Sequence, residues 1–133
     1  MKTLYFKYAE SVFRHIGLKN TADLDYEATR LLEILAVAHY IGKPLTVSQA
    51  MALSGLASPA SIHRKLSQLR EYGYIEGVHP KGDRRTQFLT PTNKANLLFE
   101  TLGSLMLQAT SEEHALVTKS TLSQNNDIDE FHC

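Results

Sequence analysis

The chain has 133 residues, a length that favours a single domain with one well-packed core. Its 14 Lys and Arg balance its 14 Asp and Glu, so the net charge neither requires nor excludes a nucleic-acid partner. The single cysteine, Cys133, excludes an intramolecular disulfide framework and favours the cytoplasm, while the most apolar stretch, residues 31–41, is too short to span a membrane.

Two amphipathic patterns predict helices in the first third of the chain. Apolar residues recur near helical spacing from Leu4 to Ile16 and predict a short helix. Asp25 is a candidate N-cap for a longer helix that continues to about Ile41. The apolar surface of this second helix is so wide that we expect it to be buried on more than one side.

Two short helices joined by a turn are predicted next. Thr46 is a candidate N-cap for a helix of roughly two and a half turns, and Gly55 suits a left-handed turn at its end. Ser58 and Pro59 then begin another helix, because proline lacks an N–H group that the first helical position does not need. This second helix should continue to Tyr72, which makes the pair a candidate helix-turn-helix.

A hairpin and one more helix follow. Tyr74–Val78 and Thr86–Leu89 have a composition typical of strands, and they flank the turn-forming run "HPKGDR". Beyond Pro91, the apolar spacing predicts a last helix that ends near Ala109.

The charges are divided unevenly along the chain. Residues 1–110 hold 13 Lys and Arg against 9 Asp and Glu, a net charge of +4, whereas residues 111–133 hold one Lys against five acids, a net charge of −4. The second segment is polar and lacks periodicity. We therefore predict one domain over 1–110 and an acidic, disordered tail over 111–133.

The helix predicted over Pro59–Tyr72 has a polar face of a kind that suits the major groove of DNA. With the apolar row turned to the core, this face carries Ser61, Arg64 and Gln68, and Lys65 lies at its edge, where we expect it to contact the DNA backbone or the minor groove. Small residues allow a close approach, Arg can pair with guanine and Gln with adenine. The alternative is an ordinary solvated helix face, which would carry the same residue types.

The predicted hairpin tip adds positive charge directly after that helix. Lys81, Arg84 and Arg85 stand there, opposed only by Asp83. Such a hairpin can place its Arg side chains in a narrow minor groove or on phosphates, and the helix start at Ser58 also favours a phosphate. Over residues 58–94, seven basic residues face three acidic ones, so the positive excess coincides with the helix and the hairpin.

Residues 45–90 resemble the winged helix-turn-helix of the MarR (multiple antibiotic resistance regulator) family. The resemblance rests on the Ser58-Pro59 helix start, the run "LREYGYIE" from helix into strand, and the "DRR…LT" pattern of the hairpin. It implies a mainly α fold with a small β-hairpin: a three-helix core plus a wing, with flanking terminal helices. It also implies that Asp83 braces the wing and that Arg85 or Arg84 contacts DNA. Fewer residues separate DRR from LT than is usual in the family, which predicts a shorter wing or another strand register.

The sequence thus predicts a MarR-like transcriptional regulator that binds double-stranded DNA in a sequence-specific manner. We identify no catalytic, metal-binding or cofactor-binding residues, and a small-molecule effector stays open but unsupported. We expect a homodimer joined through the terminal helices, although both helices could instead cover only their own core. Two further alternatives stay open: the winged helix could bind protein and not DNA, and the acidic tail could compete with DNA or only aid solubility.

Overall fold

The structure, a computed structural model, describes residues 1–16, 23–53 and 55–124, with side chains as far as residue 112. Five helices and three strands lie in these residues. In chain order they are α1 (Lys2–Ile16), α2 (Tyr26–Tyr40), β1 (Leu45–Thr46), α3 (Val47–Met51), α4 (Pro59–Glu71), β2 (Ile75–Val78), β3 (Phe88–Pro91) and α5 (Asn93–Gln124). No helix within the described ranges is long and apolar enough to cross a membrane.

The three strands form one antiparallel sheet in the order β1-β3-β2. β3 is the central strand: its Leu89 is paired with Leu45 of β1 on one side and with Gly77 of β2 on the other. The hairpin of β2 and β3, with the loop of residues 79–87, is the wing. β1 was not predicted, because a strand of two residues is too short to produce an alternating pattern.

The hydrophobic core lies between α2, α4 and the sheet. Leu32 and Leu35 of α2, Ile62 and Leu69 of α4 and Leu89 of β3 are all 0 % exposed. The breadth of the buried surface on α2 confirms the prediction that this helix is covered on more than one side. The core thereby fixes which face of α4 remains at the surface.

α1 and α5 pack against each other beside this core. Val12 of α1 and Leu105 and Ala109 of α5 are buried in the contact. An apolar groove of about 230 Å³ opens between the two helices, lined by Tyr8 and Met106 among others. Both helices also keep large apolar side chains exposed, so their own contact covers only part of their apolar surface.

The predicted helix starts are confirmed by their hydrogen bonds. The Asp25 carboxylate accepts from the N–H of Ala28 at 2.8 Å, and the Thr46 hydroxyl accepts from the N–H of Gln49 at 3.2 Å. The Gln49 side chain in turn accepts from the N–H of Thr46 at 2.9 Å, which completes a capping box. These bonds satisfy N–H groups that have no partner inside their helices.

Two predicted helix ends are wrong. α3 ends at Met51 and not near Gly55, because its last turn tightens and the N–H of Leu53 bonds to the carbonyl of Ala50 at 3.1 Å. α5 extends to Gln124 and not to about Ala109, since no Gly or Pro interrupts the chain between Gly103 and that end.

The longer α5 also changes the interpretation of the acidic tail. Residues 111–124, predicted to be disordered, continue the helix. Residues 125–133 lie outside the described residues, as does Gly17, the predicted end of the first helix.

The second wing strand begins two residues later than predicted. β3 covers Phe88–Pro91, whereas the composition favoured Thr86–Leu89. Thr86 stays in the loop because loop side chains satisfy it: Asp83 accepts from its N–H at 3.2 Å, and His79 Nδ1 lies 2.8 Å from its carbonyl oxygen. A residue whose backbone groups are already bonded gains little from joining the ladder.

Candidate nucleic-acid interface

The start of α4 is set by local sequence chemistry. The Ser58 hydroxyl accepts from the N–H of Ser61 at 3.2 Å, and Pro59 occupies the first helical position. Gly55, before the cap, has a φ of 88°, a left-handed conformation that glycine adopts without strain. The exposed Ser58 therefore stands at a helix N-terminus, where the helix dipole favours negative charge.

The face of α4 opposite its buried row is open. Arg64 is exposed, and Ser61 and Gln68 are half-buried beside it. The guanidinium of Arg64 lies 3.5 Å from the Ser61 hydroxyl, the upper limit of a hydrogen bond. The helix thus brings the three predicted base-reading residues together and leaves their polar groups available to a ligand.

Lys65 is placed differently from its prediction as a DNA contact. Its ammonium donates to the Asp25 carboxylate at the start of α2, and only 15 % of its side chain is exposed. This bond is the largest cause of the lowered pKa of Asp25, followed by the N–H of Ala28. Lys65 therefore ties α4 to α2 in the protein without DNA, and its predicted DNA contact would require this bond to open.

Two other basic residues of the positively charged stretch 58–94 also form hydrogen bonds within the protein. Arg70 donates to the Gln87 side chain at 2.7 Å. Lys94 donates to the carbonyl of Tyr72 at 2.6 Å, and its ammonium lies 4.3 Å from the ring centre of Tyr74. A cation beside the last carbonyls of α4 also complements the helix dipole there.

Four of the seven basic residues of 58–94 then remain at the surface without a strong internal bond. Arg64 lies on α4, and the other three, Lys81, Arg84 and Arg85, lie on the wing loop. No hydrogen bond or ion pair involves the three wing side chains within the part of the chain that the structure describes. Their charges add little to fold stability, which leaves an external anion as their natural partner.

Asp83 organises the loop that carries those charges. Its carboxylate accepts from the N–H of Arg85 at 2.8 Å, and from the N–H and hydroxyl of Thr86 at 3.2 and 2.7 Å. The Thr86 hydroxyl is the main cause of the lowered pKa of Asp83, followed by the two N–H groups. Most of the acceptor capacity of Asp83 is thus used inside the loop.

The turn before Asp83 and the histidine at the loop's base complete the arrangement. The N–H of Asp83 bonds to the carbonyl of Pro80 at 3.0 Å, and Gly82 has a φ of 84°, as a type II turn requires at that position. Because a carbonyl oxygen only accepts, His79 must carry its proton on Nδ1 to bond to Thr86. His79 was not predicted to have this role, since nothing local to its sequence indicates a partner seven residues away.

Gln87 was also missed by the sequence analysis. It links the wing to α4 through Arg70, and its side chain lies over Gly77 of β2. A glycine inside a strand often marks such a close approach, and this was the one available signal.

Comparisons with known proteins give the fold. No protein-family model and no curated protein matches the chain. Among solved structures it is similar to RV1404 from Mycobacterium tuberculosis, with 12 % identity, a TM-score of 0.58, and 98 % of this chain and 89 % of that chain covered.

Two other similar structures carry informative descriptions. A mutant of S. aureus MepR, bound to an oligodeoxyribonucleotide, has 17 % identity and a TM-score of 0.56 over 91 % of this chain and 86 % of that one. A MarR/EmrR family transcriptional regulator from Acinetobacter sp. ADP1 has 17 % identity and a TM-score of 0.50 over 95 % and 89 %. The predicted fold is thus confirmed: the chain has the winged-helix fold of MarR-type regulators, terminal helices included.

Proposed function

We propose that this protein binds double-stranded DNA through α4 and the wing, and that it regulates transcription. The observation that carries the proposal is the set of four surface cations, one on α4 and three on the wing, which have no strong partner among the residues that the structure describes. The MepR structure supports it, because a protein of the same fold was solved with an oligodeoxyribonucleotide bound.

Each interface residue has a proposed task. Arg64, Gln68 and Ser61 contact base edges in the major groove, where α4 can enter with its open face. Lys81, Arg84 and Arg85 contact phosphates or the minor groove from the wing, and Ser58 contacts a phosphate at the helix start. We place the protein in the cytoplasm and assign it no enzymatic activity.

We further propose a homodimer joined through α1 and α5. Large apolar side chains stay exposed on both helices: Tyr5 (64 %), Phe6 (59 %), Leu97 (68 %), Met106 (56 %) and Leu107 (70 %). A two-fold dimer would cover such a surface and would bring two α4 helices to successive turns of the duplex. The groove between α1 and α5, at about 230 Å³, is smaller than the roughly 300–1,000 Å³ of ligand pockets, so it gives no support of its own to a small-molecule effector.

DNA binding is tested by fluorescence anisotropy with a labelled random duplex between about 50 and 200 mM salt. Affinity should fall steeply with salt, because each phosphate contact releases a counterion. In the Arg84→Ala/Arg85→Ala variant the slope of log K against log salt should be smaller by about 2, roughly one for each lost phosphate contact.

The matched control removes two positive charges elsewhere. Arg30→Ala/Lys43→Ala takes them from α2 and the loop after it and should leave the slope unchanged. If the wild-type protein does not bind even at about 50 mM salt, the DNA proposal is wrong and a protein-binding winged helix becomes the better explanation. A contact of that kind, if apolar, would show little dependence on salt.

A further inference from the structure

The direction in which the wing projects depends on a contact between its loop and α4. Gln87 stands immediately before β3, and its side-chain oxygen accepts from the guanidinium of Arg70 at 2.7 Å. Arg70 lies in the last turn of α4, next to the buried Leu69. This hydrogen bond joins the element that would read the major groove to the element that would reach the neighbouring groove.

Gly77 makes room for that contact. It is paired with Leu89 across the hairpin, and a Cβ atom placed on it would overlap with the side chain of Gln87. Gly77 is not one of the described glycines with a positive φ, so its backbone conformation is open to any residue. Space for Gln87, and not backbone freedom, is therefore what requires glycine in this strand.

α4 is held on two opposite flanks of its buried row. Lys65 ties one flank to Asp25 at the start of α2, and Arg70 ties the other to Gln87 of the wing. The Lys65 tie joins two helices that already share a core. The Arg70 tie is different, because the wing loop beyond β2 and β3 has no such core to hold it.

We propose that Gln87 is a positioning residue, which through Arg70 and its fit against Gly77 fixes the direction of the wing relative to α4. Its effect on DNA affinity rests on the proposed function, whereas its effect on wing direction does not. Arg84 and Arg85 reach the duplex only if the loop that carries them points towards it. Loss of the contact therefore weakens binding without removing any charged group.

Gly77→Ala is the sharpest test, because it alters neither partner of the hydrogen bond. The new methyl group displaces the flexible end of Gln87 and separates it from Arg70. The displaced Gln87 costs the folded protein some stability while alanine restricts the unfolded chain, so the melting temperature should change little. DNA affinity should nevertheless fall about 3- to 10-fold, the scale of one hydrogen bond.

Two further variants complete the set. Gln87→Met keeps the side-chain length but cannot accept from Arg70, and it should weaken binding to a similar degree. Val78→Ala is the matched control: it trims the next residue of β2, an exposed side chain on the opposite face of the strand from Gly77, and it should leave affinity unchanged.

A double-mutant cycle separates positioning from a general structural effect. In the Gly77→Ala protein, Arg84→Ala/Arg85→Ala should cost less affinity than in the wild type, because the two arginines are already misdirected. Equal costs in both backgrounds, or wild-type affinity of Gly77→Ala, would overturn the proposal.

Residual dipolar couplings of the backbone N–H groups test wing direction without DNA. One orientation of the loop of residues 79–87 relative to α4 should fit the wild type, and Gly77→Ala and Gln87→Met should each need another orientation of this loop or a broader range. Unchanged couplings in both variants would refute the positioning role, whether or not the protein binds DNA. Changed couplings in a protein that binds no DNA would uphold it and reject only the proposed function.

Discussion

Replacing Asp25 tests both the start of α2 and the attachment of α4 to it. Asp25 caps α2 through the N–H of Ala28 and receives the ammonium of Lys65. Asp25→Asn keeps a good capping side chain but loses the ion pair, whereas Asp25→Ala loses both. The two variants therefore separate two contributions that one side chain combines.

The expected magnitudes follow from exposure. Half of the Asp25 side chain is exposed, but only 15 % of that of Lys65, so the pair lies between an exposed and a buried one. We expect Asp25→Asn to lower the free energy of unfolding by about 1–1.5 kcal/mol, above an exposed pair but well below a buried one. Asp25→Ala should lose about 1 kcal/mol more, the usual contribution of an N-cap.

Urea denaturation at a fixed protein concentration measures these differences, because the proposed dimerisation would make stability depend on concentration. Glu10→Gln is the control: it breaks the exposed pair with Arg14, for which we expect less than about 0.5 kcal/mol. Equal losses in Asp25→Asn and Asp25→Ala would refute the capping role. Wild-type stability of Asp25→Asn would refute the contribution of Lys65.

The same carboxylate should make stability depend on pH. The pKa of Asp25 is lowered in the folded protein, chiefly by Lys65 and then by Ala28. Protons therefore bind the unfolded chain more readily, and the stabilisation is complete above the ordinary pKa of 3.8. It is lost as the pH falls through the lower folded pKa, so the advantage of the wild type over Asp25→Asn should shrink in acid.

Three further predictions concern other parts of the molecule. Thr46→Ala removes the capping box with Gln49 and should lower the free energy of unfolding by about 1 kcal/mol, measured by the same urea titration, whereas Thr46→Ser should restore most of it. Leu107→Glu places a charge on the exposed apolar face of α5 and should shift sedimentation from dimer to monomer and weaken DNA binding; an unchanged dimer would move the interface elsewhere. An NMR titration should give Asp83 a pKa below 3.8, and Thr86→Val should raise it, because the Thr86 hydroxyl is the main cause of the shift; a pKa insensitive to Thr86→Val would contradict the described loop.

The parts of the fold that were predicted correctly depend on neighbours in sequence. Asp25 and Ser58 cap helices by bonding to N–H groups three residues on, so the local residue types suffice to locate both starts. Lys65 could not be interpreted in this way, since its partner lies 40 residues earlier in the chain. A count of charges assigns such a residue to a basic surface, whereas its ammonium group forms an ion pair with another helix of the same chain.

The wing shows the same division within a few residues. The resemblance predicts that Asp83 braces the hairpin, and its carboxylate accepts hydrogen bonds from Arg85 and Thr86 within the loop. The start of β3 at Phe88 was not predictable, because the β-leaning composition of Thr86 competes with side-chain bonds that only the folded loop supplies. The role of Gln87 was not predicted for a related reason: its side chain packs over Gly77, which belongs to the other strand of the hairpin.

The pairing of α1 with α5 sets an order of events during synthesis. The ribosome makes α1, with its buried Val12, long before it makes the part of α5 that contains Leu105 and Ala109, and α1 packs against α5. At about 5–20 residues per second, the delay is on the order of 5–20 s. During that interval the apolar side of α1 has no native surface to cover it, while α2, α4 and the sheet can already close their core. We therefore expect chaperone binding and self-association of the nascent chain to involve α1. This exposure should end once α5 has left the exit tunnel and packs against α1.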